Sequence, residues 1–335
     1  ATTSCPTPKS LTFWASDTPC PCAMSRAIGW LSLLCVATLA SRADAALYTH
    51  AAVVTARRAG RNSSLRDAFT TAQGAHHVTG AGRPAFAIVS CVRGSSQPRL
   101  ATHLLPSLNR TITHEERIAW RITLYLCIDE DDPMYLDQSS TANTTRIVPG
   151  IELRRVIWTR VPGVIPHGLT AEIAIAEGAD YVHRTNDDTQ YLTRGWLTTA
   201  VGLLRFKFGN VGVVGPKTWG DGFRPGLLTL DCVHRTHLAI FRHYYPPSLF
   251  NWFLDDWISF AYVNRSHRIR AWETRHVFTR RRYRPAMAQK RLLPGLLQCG
   301  SAAITSFLHN RLAHVPVLCG SVPARPRMVE MHPHL

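Results

Sequence analysis

Tyr181-Val182-His183-Arg184-Thr185, followed at once by Asn186-Asp187-Asp188-Thr189, is the stretch that decides the fold. Five β-prone residues run into three turn-forming, mostly acidic ones. Carboxylates at the end of a strand can hold a hard divalent cation, because Mg²⁺ typically uses one or two carboxylates plus substrate phosphates. Asn-Asp-Asp is equally good turn and helix-cap chemistry. Its meaning therefore depends on the chain around it.

Upstream, 168–177 has helical patterning closed by Gly178, a residue that suits a helix C-terminus. Further back, Phe86-Ala87-Ile88-Val89-Ser90-Cys91-Val92 is a continuous apolar run between Pro84 and Gly94. Such runs mark strands buried on both faces. A second strand over 120–128 ends at Asp129-Glu130-Asp131-Asp132-Pro133, with room before it for a crossover helix, and Arg155-Val156-Ile157-Trp158 is a third. Downstream, 195–208 carries Trp196, Leu197, Val201 and Leu204 at helical spacing. Short strands over 211–214 and 227–233 follow, then a helix starting near Arg235. After Arg284 helical patterning survives only in patches such as 304–312, and the Pro- and Arg-rich tail from Val322 reads as disordered. Strands alternating with helices predict an α/β fold, a mainly parallel sheet flanked by helices. Ligands of such sheets bind beyond the carboxyl ends of the strands, where Asp129 and Asn186-Asp187-Asp188 both fall.

The formal charge of +16 suggests a nucleic-acid partner, but its distribution argues against one. Of the 38 basic residues only Lys9, Lys207, Lys217 and Lys290 are lysines, and the arginines are spread along the chain apart from Arg280-Arg281-Arg282-Tyr283-Arg284. No zinc-finger spacing, basic heptad region or RNA-binding aromatic pattern is present. The expectation is therefore no nucleic acid, with the basic surface suited to phosphate-bearing donors or acidic glycans.

Met24-Ser25-Arg26 precedes an apolar run from Ala27 to Ala40, and Ala43-Asp44-Ala45 supplies the small residues of a cleavage site. This is the layout of a secretory signal peptide or a short signal anchor, which would be the chain's one attachment to a membrane. Four of the eight asparagines sit in glycosylation sequons, Asn62, Asn109, Asn143 and Asn264. Chance would give about one. Of the five cysteines beyond the cleavage site, Cys91 and Cys127 fall in apolar runs as free thiols would, and Cys299 with Cys319 is a plausible disulfide. The chain thus divides into an upstream extension (1–23), a signal peptide or anchor (24–45), a stem or loose lead-in (46–82), the α/β domain (83–285) and a partly disordered C-terminal extension (286–335).

Four acidic or metal-ligating elements stand in order: Asp129, Asn186-Asp187-Asp188, Asp255-Asp256 in Asn251-Trp252-Phe253-Leu254-Asp255-Asp256-Trp257, and His276 in Trp272-Glu273-Thr274-Arg275-His276-Val277. With Gly178-Ala179-Asp180-Tyr181, Val211-Gly212-Val213-Val214-Gly215-Pro216, Val233-His234-Arg235-Thr236-His237 and Tyr245-Pro246-Pro247, this series resembles glycosyltransferases of the GT-A (Rossmann-like) fold over roughly 85–285. The resemblance implies a nucleotide diphosphate sugar as donor and Mn²⁺ or Mg²⁺ bridging its diphosphate as a Lewis acid. By position it assigns the metal to Asp188, Asn186 and His276, and the donor nucleotide to Asp129, Asn186 and Asp187. Asp255 and Asp256 match the acidic pair that orients or deprotonates the acceptor hydroxyl, with Asp256 slightly favoured. His234 and His237 match positions near the donor, although local packing and capping explain them equally well. The segment Val161-Pro162-Gly163-Val164-Ile165-Pro166-His167-Gly168 departs from the pattern, lacking the Lys and Asn common there; Arg160 is a candidate replacement.

The expected function is transfer of a sugar to a glycan or glycoprotein hydroxyl in the secretory pathway, in the endoplasmic reticulum or Golgi lumen or after secretion. An inactive carbohydrate- or nucleotide-binding protein on the same scaffold is the alternative, motivated by Asn186 in place of an acidic first residue.

Overall fold

Apolar residues at every position let a strand serve two cores at once, and this organises the molecule. The computed structural model describes residues 82–94, 99–137, 146–220, 226–277, 287–321 and 328–333. The leader, the lead-in and the sequons at Asn62 and Asn143 lie outside the described residues. Strand β1 (Ala85–Val92) lies parallel between β2 (Arg121–Asp129) and β4 (Tyr181–Asn186), and β2 continues the parallel set to β3 (Glu152–Trp158). Phe86 and Ile88 of β1 enter one hydrophobic core, Ala87 and Val89 the other. Full burial of a side chain of Val or Ile size contributes roughly 1.5–3 kcal/mol, so a strand filling both cores is strongly held.

Helices cover both faces. One core takes α4 (His167–Ala176), α6 (Thr236–Ile240), α7 (Leu254–Ala261) and α8 (Met287–His309). The other takes α1 (Leu105–Thr111) and α5 (Trp196–Gly202), where Trp196 stacks on Trp272 with ring centroids 4.9 Å apart. Two shorter helices, α2 (His114–Ala119) and α3 (Pro133–Leu136), flank β2. Gly178 ends α4 with φ +97°, a conformation that glycine adopts without strain, and the chain turns there into β4.

The parallel centre is extended by antiparallel pairing on both sides. Among the described residues nine strands form one sheet, in the order β5-β8-β6-β7-β4-β1-β2-β3-β9. β5 (Thr189–Tyr191) and β8 (Ser266–His276) pair antiparallel, β6 (Val213–Trp219) and β8 parallel, and β7 (Asp231–His234) joins β6 to β4 in antiparallel register. The strand expected over 227–233 is confined to β7, since Leu227 to Leu230 form the approach to it. The C-terminal region carries more order than its composition suggested. The helical patch expected at 304–312 belongs to the 23-residue helix α8, and β9 (Met328–Pro333), within the tail expected to be disordered, pairs antiparallel with β3.

Among the described residues no helix is long and apolar enough to cross a membrane. Cys299 and Cys319 form a disulfide with a Cα–Cα separation of 5.9 Å, while Cys91, Cys127 and Cys232 are free thiols. The disulfide closes a loop across a sequence separation of 20. Cys319→Ser is expected to lower unfolding free energy by about 3 kcal/mol, read by denaturant titration of oxidised protein against the variant.

Candidate active site

The sheet register gathers the acidic residues at one edge. Asn186 stands opposite Cys91 at the end of β1, Cys91 stands opposite Cys127 of β2, and β2 runs on to Asp129. Asp187 and Asp188 form the turn into β5, whose Thr189 pairs with His276 at the end of β8. The next backbone amide, Val277, donates to the carbonyl of Asp188 at 2.9 Å. The structure thus brings Asn186, Asp187, Asp188 and His276 around one turn, with Asp129 on the same edge.

Two features of that turn bear on a cation. Asp188 Oδ1 is buried and has no hydrogen-bond partner among the described residues. Its other oxygen, Oδ2, lies 3.9 Å from Nη1 of Arg99, at the start of the helical stretch that follows β1. Asp187 is pushed up to about 6, first by burial and next by the charge of Asp188. Among the described residues no three His, Cys, Asp or Glu side chains cluster at metal-binding distance. The fit of a divalent ion therefore rests on one carboxylate with an orphaned oxygen, the amide oxygen of Asn186 and the imidazole of His276. This is a sparse, low-charge set that needs donor phosphates to complete it. The residues fit on that condition.

Asp129 is held by Arg93, whose Nη1 donates to Oδ2 at 3.2 Å, and its pKa is raised by burial despite that guanidinium. Arg160, the candidate replacement for a phosphate-binding lysine, instead donates to Asp131 at 2.8 Å.

The second acidic element sits at the start of α7. The residue preceding the helix, Phe253, has φ +65°, a left-handed conformation uncommon for a bulky side chain and costly to hold. It places Asp255 and Asp256 in the first turn, where carboxylates are favoured by the helix dipole. Their environments differ. Asp255 Oδ1 accepts the backbone N–H of Asp256 at 3.0 Å. The carboxyl is pushed up to about 6, mainly by burial, with Asp256 adding to the rise and Arg184 opposing it. Both acids of the pair named from the sequence thus stand in this first turn.

His234 and His237 both make local contacts. His234 Nδ1 lies 2.5 Å from the Thr236 hydroxyl and 3.1 Å from its amide, at the entry to α6. His237 is buried between the Tyr262 hydroxyl (2.8 Å) and the Tyr244 carbonyl (2.7 Å), and burial draws it down to about 4.

Sequence reasoning missed Arg99, Arg184 and Asp231. Arg184 and Asp231 are paired residues of β4 and β7, and their side chains form an ion pair at 2.7 Å with no solvent exposure at Asp231. The available hint was a charged residue inside the apolar-flanked run Tyr181-Val182-His183-Arg184-Thr185, since a buried charge requires a partner.

No protein-family profile matches the chain, and no curated protein matches it. Solved structures do. S. aureus TarS 1-349 superposes with a TM-score of 0.42 at 12% identity, over 68% of this chain and 73% of that one. GalNAc-T7 with UDP, GalNAc and Mn²⁺ gives 0.47 at 9% identity, over 65% of this chain and 51% of its own. The mannosyltransferase PcManGT from Pyrobaculum calidifontis, in complex with GDP-Man and Mn²⁺, gives 0.40 at 14% identity, over 80% and 82%. These are likenesses of backbone course; the chemistry rests on this chain's own side chains.

Two outcomes follow from the site's electrostatics. The Asp255 carboxyl binds its proton more tightly folded (about 6) than its ordinary 3.8, so its ionisation lowers stability as pH rises from about 4 to 6 and the penalty is complete above 6. Asp255→Asn is therefore expected to stabilise the protein by roughly 2 kcal/mol at pH 7.5 and to have no such effect at pH 4, by parallel denaturant titrations. Arg99→Gln removes the cation facing Asp188, and the full chain is expected to bind Mn²⁺ about tenfold more tightly by calorimetry with the metal alone.

Proposed function

We propose that the chain is a metal-dependent glycosyltransferase that moves a sugar from a nucleotide diphosphate donor to a glycan or glycoprotein hydroxyl. The observation that carries this reading is the buried, unpartnered Oδ1 of Asp188 at the carboxyl edge of the parallel strands. An orphaned carboxylate oxygen at such a place is costly unless a ligand completes it. Asp188, Asn186 and His276 would hold Mn²⁺ or Mg²⁺, which when bound neutralises the charge developing on the departing nucleotide. Asp129 and Asp187, on the same edge, face the donor nucleotide. Asp255 accepts the proton of the attacking hydroxyl. Its Oδ1 is already committed to the Asp256 amide, which leaves Oδ2 for the transfer, and Asp256 supports the helix turn that aims it. A base with a pKa of about 6 is ionised at neutral pH yet still basic enough to take a proton.

A secretory-pathway location is supported by the Cys299–Cys319 disulfide and by the exposure of Asn109 and Asn264, two of the four sequon asparagines. The signal peptide or anchor and the acceptor class remain part of the same proposal.

A second reading, a nucleotide- or carbohydrate-binding protein without turnover, is favoured by Arg99. Its guanidinium stands against Asp188 where a metal would otherwise take both oxygens, and Asn186 adds no charge.

Hydrolysis of a panel of nucleotide sugars in Mn²⁺ separates the two. The enzyme is expected to release nucleoside diphosphate, to lose at least about 100-fold in rate on Asp188→Ala, and to show an acid limb near pH 6 as Asp255 protonates. Nucleotide binding with no turnover in any metal would support the second reading, and full activity in Asp188→Ala would sink the metal assignment.

A further inference from the structure

Beside the Asp188 turn, three strands carry polar and aromatic side chains that the proposed chemistry does not use. β6 and β8 run parallel, but their register shifts after Pro216, from Pro216 opposite Ile269 to Lys217 opposite Glu273. Irregularities of this kind re-aim side chains and gather next to active sites. Without the shift Trp219 would stand opposite Trp272; with it, Trp219 stands opposite Arg275. Arg275 in turn faces Gln190 of β5. Alternation along each strand then sorts the two faces. Thr218 and Thr274 meet on the inner one, with their hydroxyls 3.1 Å apart. Lys217 and Glu273 meet on the outer one at 3.0 Å, so Trp219, Arg275 and Gln190 form a row on that same outer face.

Trp219 is 46% exposed, and Lys217 Nζ lies 3.7 Å from its ring centroid. Glu273 holds that lysine, so the indole is braced while nearly half of it stays in water. Arg275 is exposed and makes no hydrogen bond or ion pair among the described residues. The Lys217–Glu273 pair is neutral as a unit, which leaves Arg275 as the net charge of the row. The negative face of an indole attracts the C–H face of a pyranose. A guanidinium fork takes a carboxylate or sulfate through two parallel hydrogen bonds. One anionic sugar satisfies both groups, whereas a nucleobase uses the ring alone and an acidic peptide the guanidinium alone. We propose that Trp219 and Arg275 form a subsite for an anionic saccharide, with the sugar ring on Trp219, its carboxylate or sulfate on Arg275, and Gln190 at the rim. This names an acceptor class for the proposed transfer and, as an acceptor site, rests on that reading. Its place agrees. Gln190 lies two residues past Asp188, about 7 Å along the strand. The platform strands and Asp129 of β2 lie on opposite sides of β4 in the sheet, so the platform is separate from the side given to the donor nucleotide.

The test reads binding, without turnover, by calorimetry on the full chain. Three probes are used: a hyaluronan tetrasaccharide for the carboxylate, a carboxyl-reduced chondroitin sulfate tetrasaccharide for the sulfate, and the carboxyl-reduced, neutral hyaluronan tetrasaccharide. At least one anionic probe is expected to bind about tenfold more tightly than the neutral one, and Arg275→Gln to abolish that preference while neutral binding stays. Trp219→Leu keeps apolar bulk but removes the π face, and is expected to weaken all three by about fivefold. Should either variant fail to fold, Arg275→Lys keeps the charge but gives up the fork, and part of the preference is expected to go. Equal affinity for charged and neutral probes overturns the proposal, as does a preference that survives Arg275→Gln. A nucleoside diphosphate that displaces the anionic probe without metal also overturns it, because the platform would then belong to the donor. Transfer from nucleotide sugars, assayed separately, keeps the two readings apart. An Arg275-dependent preference without transfer keeps the subsite and removes the enzyme. Transfer without the preference removes the subsite alone.

Discussion

The ion pair between Arg184 and Asp231 is the interaction on which the rest of the arrangement depends. It joins β4, the last strand of the parallel set, to β7, the first of the antiparallel extension, in a place with almost no access to water. Each charge there is tolerable only because the other is present. Removing one partner of such a pair typically costs about 3–5 kcal/mol, through the charge left behind. The pair also fixes register. A one-residue slip of β7 against β4 would turn Asp231 to the opposite face and strand both charges. One part of the candidate site hangs from that register: the turn at Asn186-Asp187-Asp188 begins two residues beyond Arg184.

The parallel centre was legible in the sequence because its strands are buried on both faces and so carry unbroken apolar runs. β1 and β2 stand out for that reason. β8 did not, because Arg268, Arg270, Glu273 and Arg275 alternate with Ile269, Trp272 and Thr274 across a strand that faces solvent on one side. Short β5 carries too few residues for any periodicity, and β9 lies in Pro- and Arg-rich sequence whose order comes from pairing with β3. In α8 the pattern is interrupted by Pro294 and Gly295, so only its last turns looked helical. The acidic elements of the site were readable as local runs. Arg99, Arg184 and Asp231 were not, because their significance lies in what another strand or turn places beside them.

The basic excess has a physical account of the same kind. Many of the arginines are occupied inside the fold. Arg155 donates to the Tyr135 carbonyl, Arg265 to those of Phe208 and Val211, Arg117 to those of Pro149 and Asn109, and Arg268 to that of Leu227. Others are matched to carboxylates: Arg93 with Asp129, Arg160 with Asp131, Arg235 with Asp180. A guanidinium carries five donors in a planar fork, which suits it to tying loop carbonyls to the sheet. Net charge counted from sequence registers none of these contacts.

The C-terminal segment, which the sequence set apart from the α/β domain, reaches the site through α7. Trp257 of α7 is buried and donates its indole N–H to the Leu296 carbonyl of α8 at 3.1 Å. Gly300 of α8 sits so close that a Cβ there would lie 2.9 Å from the Ala261 methyl and 3.3 Å from the Trp257 indole nitrogen. The disulfide ties α8, through Cys299, to Cys319, next to Gly320, which is packed on Ser248 in the approach to α7. Gln289 of α8 accepts the amides of Phe250 and Trp252, just ahead of the left-handed Phe253. A strained residue at a helix entry persists only when its surroundings over-determine it. Here the surroundings are supplied by α8. The entry to α7, and with it the first turn that carries Asp255, is therefore held by residues far beyond the last acidic motif.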